Sequence, residues 1–237
     1  MRIALLRVGV DSAAGGMQGP LFAGGGFELV PIPDGFGIDE RTYGNTVGRS
    51  GRPLIEFFPA RRHARMRAQA MHVDPEFETF TYGDPTPPKA GLRNLTEGDL
   101  LVFYCGLEGW NCAAAPALYI CAFFEVTAVV VAAQLGPKPL EQLFGLNFHV
   151  RHPSVLEDQR NRLVLVKGSP GSRLLKKAVL ISETSQNVLG RPLKVLSQEA
   201  QMIFGNFGGH ISIERSPTRW VAPAYVDLAA EFVRSRE

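Results

Sequence analysis

Cysteine is scarce in this chain. The three cysteines, Cys105, Cys112 and Cys121, are odd in number and show no CxxC spacing. That argues against a disulfide-stapled secreted domain. An excess of one charge is also missing: 25 Lys and Arg against 23 Asp and Glu leave a net charge of +2. A histone-like polycation is excluded, although a local basic face is not. The longest apolar stretch, 113–135, is interrupted by Pro116, Glu125 and Thr127. Its aromatic and β-branched content reads as two buried strands rather than a membrane span. The opening MRIALLRVGV has too short an apolar run for a secretory signal and no cleavage pattern. The expectation is a cytoplasmic protein without a membrane partner.

Several familiar chemistries lack their motifs. There is no GxxxxGK[ST] phosphate loop, and Gly24-Gly25-Gly26 lacks the GxGxxG spacing and precedes a strand rather than a helix. There is no HExxH, no HxE followed by PCxxC, and no GxSxG. Internal repeats and low-complexity tracts are absent. No cofactor is implied by any motif.

What is present is an apolar chain cut into short pieces. It is 45% hydrophobic and 20% charged, with 25 glycines and 17 prolines among 237 residues. Such a chain can bury a core but cannot form a long helical bundle. Strands are expected at 3–8, 27–32, 100–104, 117–126, 128–132 and 162–167. Short helices are expected at 60–71, 140–144 and 197–204. The segment 223–234 reads as the best helix, with Pro223 at its start and Val226, Leu228, Ala229, Phe232 and Val233 on one face. DPTPPKAG, residues 84–91, is rigid punctuation and a candidate subdomain joint within a single unit of 1–237.

Charge is balanced only in total. Between Arg41 and Arg67 there are seven arginines against one acid, Glu56. The next block, 74–84, is acidic. Side chains two apart on an extended segment point the same way, so His72 and Asp74 form a candidate acid–base pair. A loop histidine beside an acid is the plainer reading. In FETFTYGD, alternation would put Phe80 and Tyr82 on one strand face, with Asp84 at the turn. Such aromatics stack a base or fill a core. The strand of 100–104 ends in a glycine-framed loop that carries Glu108 and Trp110, where ligands gather at a sheet rim. In NFHVRH, alternation would align Asn147, His149 and Arg151 as a polar row. A metal there would need a third ligand, His72 or His210, from far along the chain. The sequence makes no metal centre the expectation.

GDLLVFYCGLEGW and the returning ALYICAFFEV resemble the PUA-like barrel superfamily, through Gly98, Asp99, Tyr104, Glu125 and Val126. Longer runs, among them GGMQGPLF, DERTYGNTVGRSGRPLIEFFP, HVDPEFETFTYGDPTPPKAGL and LVKGSPGSRLLKKAVLIS, are similar to the third of the nucleotide modification associated domain families. That resemblance implies a DNA modification pathway and a base-bearing substrate, but no particular reaction. The expected fold is α+β: a mixed, mainly antiparallel, barrel-like sheet with a few short helices and a C-terminal helix.

The functional expectation is base recognition, with base modification as a further step. The alternatives are a non-catalytic PUA-like reader and a scaffold subunit. Tyr43, Asn45, Tyr82, Asp84, Tyr104, Glu108 and Trp110 would form the base pocket. Arg41, Arg49, Arg52, Arg151, Lys167 and Arg173 would meet phosphate. His72 and Asp74, with Asp84 or Glu108, would do acid–base work. The partners implied are DNA or a nucleotide, RNA included, and other proteins of a modification system. The basic segment and the loops around Tyr82 and Trp110 are expected to converge on one concave face.

Overall fold

The computed structural model describes residues 1–214 and 217–236. Its strands are β1 (Ile3–Arg7), β2 (Gly19–Leu21), β3 (Ile32–Pro33), β4 (Met71–His72), β5 (Thr81–Asp84), β6 (Leu100–Gly109), β7 (Ala117–Val131), β8 (Val164–Gly168), β9 (Arg173–Leu180), β10 (Ser182–Gln186), β11 (Pro192–Leu196) and β12 (Arg219–Trp220). The α-helices are α1 (His63–Met66), α2 (Pro137–Phe144), α3 (Phe148–Arg151), α4 (Pro153–Gln159), α5 (Gln198–Phe204) and α6 (Val226–Arg234). Several 3₁₀ turns join them.

The centre is β6. Leu100 to Cys105 are apolar at every position and all but sealed from solvent. A strand with no polar face must be covered on both sides. It pairs in parallel with β1 and antiparallel with β7. The main sheet runs β12-β1-β6-β7-β8-β5, with β2 added beside β6 and β9 beside β7. Among the described residues no pairing joins β12 to β5, so the sheet stays open. The expected barrel is not formed; the mixed, mainly antiparallel α+β character is.

The two strands expected at 117–126 and 128–132 are one long strand, β7. Thr127 sits at a register shift between Val126 and Ala128, where the partner β8 is joined. The polar interruption thus marks a bulge, not an end. Of the strand expected at 27–32 only Ile32 enters a named strand, β3, which continues to Pro33.

The C-terminal helix forms where expected, but Leu228, placed on its apolar face from sequence, is half exposed. Val226, Ala229, Ala230 and Val233 are buried, and the helix packs on α5 and β1, with the Phe232 ring edge-on to Phe204 at 5.8 Å. Ser197 caps α5 by accepting from the Ala200 amide.

Two expectations about faces fail in a useful way. The row Asn147-His149-Arg151 is not extended. Asn147 caps α3 by accepting from the His149 amide at 3.1 Å, and His149 and Arg151 lie within that helical turn. Two residues apart on a helix are about 200° apart around its axis, so the two side chains diverge. Likewise Phe80 has a positive φ of 54°, which breaks the strand before β5 begins at Thr81. Phe80 and Tyr82 therefore part company.

Candidate functional site

His72 lies at the end of β4, which pairs with β3. Two residues on, Asp74 turns the same way, and its Oδ2 lies 3.9 Å from His72 Nε2. The first turn of α3 brings in His149, whose Nε2 is 3.4 Å from the same oxygen. Among the described residues neither Nε2 finds a hydrogen-bond partner, and both atoms are buried. The two imidazoles meet edge to face at 4.7 Å, and His72 stacks on Phe148 at 4.0 Å.

The surrounding groups fix this arrangement. Asp74 accepts from the Gly83 amide at 2.8 Å and from Asn147 Nδ2 at 3.2 Å. His149 Nδ1 faces Gln159 Oε1 at 2.6 Å; an amide oxygen only accepts, so Nδ1 carries the hydrogen. Gly83 must be glycine for reasons of space: a Cβ there would come within 2.8 Å of His149 Cδ2 and 3.0 Å of Asn147 Oδ1.

Burial dominates the titration of the group. It raises Asp74 to about 6, against the opposing pull of His149 and the Gly83 amide. It lowers His72 to about 3, helped by the nearby His149. For His149 burial works downward, but the Asp74 carboxylate and Gln159 outweigh it and the net shift is upward. Held this low, His72 is neutral at pH 7.

The cluster opens into a cleft of about 680 Å³ lined also by Arg7, Tyr82, Asp84, Lys89 and Gln159. Asp84 is buried at its rim. It accepts from the Tyr82 hydroxyl at 2.9 Å, from Lys89 Nζ at 2.9 Å and from the Thr86 amide at 2.7 Å. Burial pushes Asp84 up, but Lys89 and Thr86 prevail and its carboxyl is held below the ordinary value. Asp84 is therefore ionised and engaged.

A second cleft of about 770 Å³ adjoins the first. Arg41, Arg49, Arg151 and Arg173 line it, together with Phe77, Phe80, Glu28 and Glu76. Asp74 stands in the wall of both clefts. Arg41 is tied to Asp39 through Nε and Nη2, at 3.0 and 2.9 Å. Arg151 reaches Asp39 and Glu40. Arg49 donates to the Leu175 carbonyl, and Arg173 lies over Phe123 at 5.2 Å. Among the described residues neither Arg49 nor Arg173 forms an ion pair. Glu28 accepts from the Arg49 and Ser50 amides and folds that loop down.

The other residues named from sequence lie elsewhere. Tyr43 is fully buried, with its hydroxyl on the Pro31 carbonyl, and Tyr104 is buried in the main core with its hydroxyl on the Ile213 carbonyl. Neither ring presents a face to a ligand. Asn45 braces its own loop through Thr42 and Glu40. Arg52 is exposed and paired with Glu56. Lys167 donates to the Thr79 carbonyl at 2.6 Å. Trp110 packs edge-on to Phe57 at 5.2 Å, and Glu108 is exposed near the end of β6; neither lines these two clefts. His152 bonds Asp39 rather than the histidine cluster, and His210 is exposed. The expected convergence is thus partial: Arg41 and Arg49 face one cleft, Tyr82 the next, and Trp110 neither. Sequence reading missed Gln159, Lys89 and the close approach of Gly83. It noticed His149 but placed it on a strand.

The model of nucleotide modification associated domain 3 matches residues 2–235. The chain belongs to that family. No curated protein and no solved structure matches it. The nucleotide modification associated domain 3 therefore spans both clefts, and the family name ties the chain to nucleotide modification. No helix among the described residues is long and apolar enough to cross a membrane.

Proposed function

We propose that the chain binds a nucleotide, free or within a nucleic-acid strand, and acts on its base as part of a nucleotide-modification system. Phosphate sits on the arginine side, and the base reaches toward Asp74. The observation that carries this reading is the position of Asp74 in the wall shared by the two clefts. An arginine-lined cleft that meets, at Asp74, a second cleft holding the two imidazoles suits an anionic ligand with a polar, ring-shaped reacting end. Phe77 and Phe80 offer apolar surface beside the arginines and are themselves backed by Phe124, at 5.7 and 6.0 Å. Proton transfer at a ring or exocyclic nitrogen is the chemistry such a site supports.

Arg49 and Arg173 carry no carboxylate partner among the described residues, so they are the anion contacts to test. Anisotropy of a labelled single-stranded oligonucleotide, measured at several salt concentrations, should give a negative log–log slope. Removing both guanidinia in Arg49→Ala/Arg173→Ala should weaken binding and flatten that slope by about 1.4, at about 0.7 per lost phosphate contact. An unchanged slope would reject the phosphate seat. Mass spectrometry of nucleosides after incubation then separates the two remaining roles. An enzyme alters a nucleoside, and Asp74→Asn stops it while binding persists. A non-catalytic reader binds and alters nothing. Undetectable binding to any oligonucleotide or nucleotide would favour the scaffold role instead.

A further inference from the structure

We infer that His72, Asp74 and His149 form a binding site for one divalent first-row transition-metal ion. The assignment deepens the role proposed for this cleft and rests on that reading for its purpose. Its geometry stands on the side chains alone.

The donor atoms of these three residues all lie within 4.8 Å of one another. His72 Nε2 and His149 Nε2 approach one oxygen, Asp74 Oδ2, at 3.9 and 3.4 Å. Ligands held about 2.1 Å from a common ion lie about 3–3.5 Å apart, so only a small contraction is needed. Both nitrogens are buried and, among the described residues, lack a hydrogen-bond partner, a costly condition that a cation removes. His149 is 2% exposed. Its Nδ1 hydrogen is engaged by Gln159, which leaves Nε2 as a lone pair turned inward. Three electron-rich atoms therefore face one point.

The outer partners are those a metal centre uses. Imidazole ligands are oriented by an acceptor on their far nitrogen, and carboxylate ligands by donors of their own. Gln159 does the first for His149. The Gly83 amide and Asn147 do the second for Asp74. Three protein ligands facing an open cleft leave room for water or substrate, as in catalytic rather than structural sites. Two nitrogens and one oxygen favour zinc, iron, manganese, cobalt or nickel over magnesium or calcium, which take oxygen. Such an ion would activate a bound water or polarise a base carbonyl.

The test uses the full chain, stripped with a chelator and titrated with Co²⁺ and then Zn²⁺. Plasma mass spectrometry gives the stoichiometry, and visible absorption reports the cobalt environment. One ion per chain is expected, with visible cobalt bands that zinc abolishes. His72→Ala, Asp74→Asn and His149→Ala should each weaken binding by at least about 100-fold, and Gln159→Leu by about 10–100-fold. His210→Ala, at an exposed position outside the cluster, should bind as the unaltered chain does. Circular dichroism identifies any variant that fails to fold. His72 stands at the rim of the cluster, so its variant decides the matter if His149→Ala does not fold. Binding that is absent, substoichiometric, or retained in folded His72→Ala overturns the site. Metal binding without oligonucleotide binding keeps the site and removes the function proposed above. Oligonucleotide binding without metal does the reverse.

Discussion

His149 shows how much a single position can decide. It caps nothing and joins no sheet, yet its ring closes the cluster begun by His72 and Asp74. Gly83 makes room for that ring. Gly83→Ala would drive a methyl group into His149, Asn147 and the Leu165 side chain, whose Cδ2 is 3.0 Å from the Cβ position. Overpacking of this kind costs about 1–3 kcal/mol. Urea unfolding of Gly83→Ala should show a loss in that range, and a stability equal to the parent would mean that the ring does not sit against Gly83. The pair His72 and Asp74 was legible from their spacing on an extended segment. The link from this pair to His149 was only one open option, because nothing in the 74 residues between Asp74 and His149 announces that α3 returns to β4.

At the level of elements, the deciding feature is the helical turn of α3. Read as a strand, it sends His149 and Arg151 to one face. As a helix it sends His149 to the cluster and Arg151 toward Asp39. Asp39 is in turn a hub between the loop after β3 and the helices α3 and α4. Burial would raise its pKa, but Arg41 and His152 outweigh burial and hold it well below the ordinary carboxylate range. A carboxyl depressed in the folded state stabilises the fold fully above its unfolded value, near 3.9, and less as pH falls through the folded value. Asp39→Asn should therefore lower stability by about 2 kcal/mol at pH 7, in line with the loss of charge-assisted hydrogen bonds. The gap should narrow below about pH 4, where the parent begins to lose the same contribution. Denaturant titrations at pH 7 and pH 3 check this, and a gap that does not change with pH would remove Asp39 from the account.

Across the whole molecule, Phe124 ties the sheet to the arginine-lined cleft. It is fully buried on β7, with Phe103 at 4.8 Å behind it and Phe77 and Phe80 in front. Phe204 is equally buried, but it packs against α6. Phe124→Ala and Phe204→Ala should both cost about 3–5 kcal/mol. Only the first should also weaken oligonucleotide binding, because it loosens the Phe77–Phe80 wall. Equal affinity in the two variants would separate that wall from the ligand.

The sequence by itself determined the local elements whose signal is strong over a short span. Consecutive apolar residues made β6, a heptad-like apolar stripe with a leading proline made α6, and Ser197 and Gly205 bounded α5. It also carried the family, through long matched runs, and the arginine-rich segment, two of whose members, Arg41 and Arg49, line a cleft. Tertiary structure alone decided that the sheet stays open, that Tyr43 and Tyr104 are core residues, and that His149 meets Asp74. Local patterns report which side of an element is apolar. They carry no information on which distant element supplies the facing side chains, and both the cluster and the shared wall at Asp74 are made of such long-range contacts.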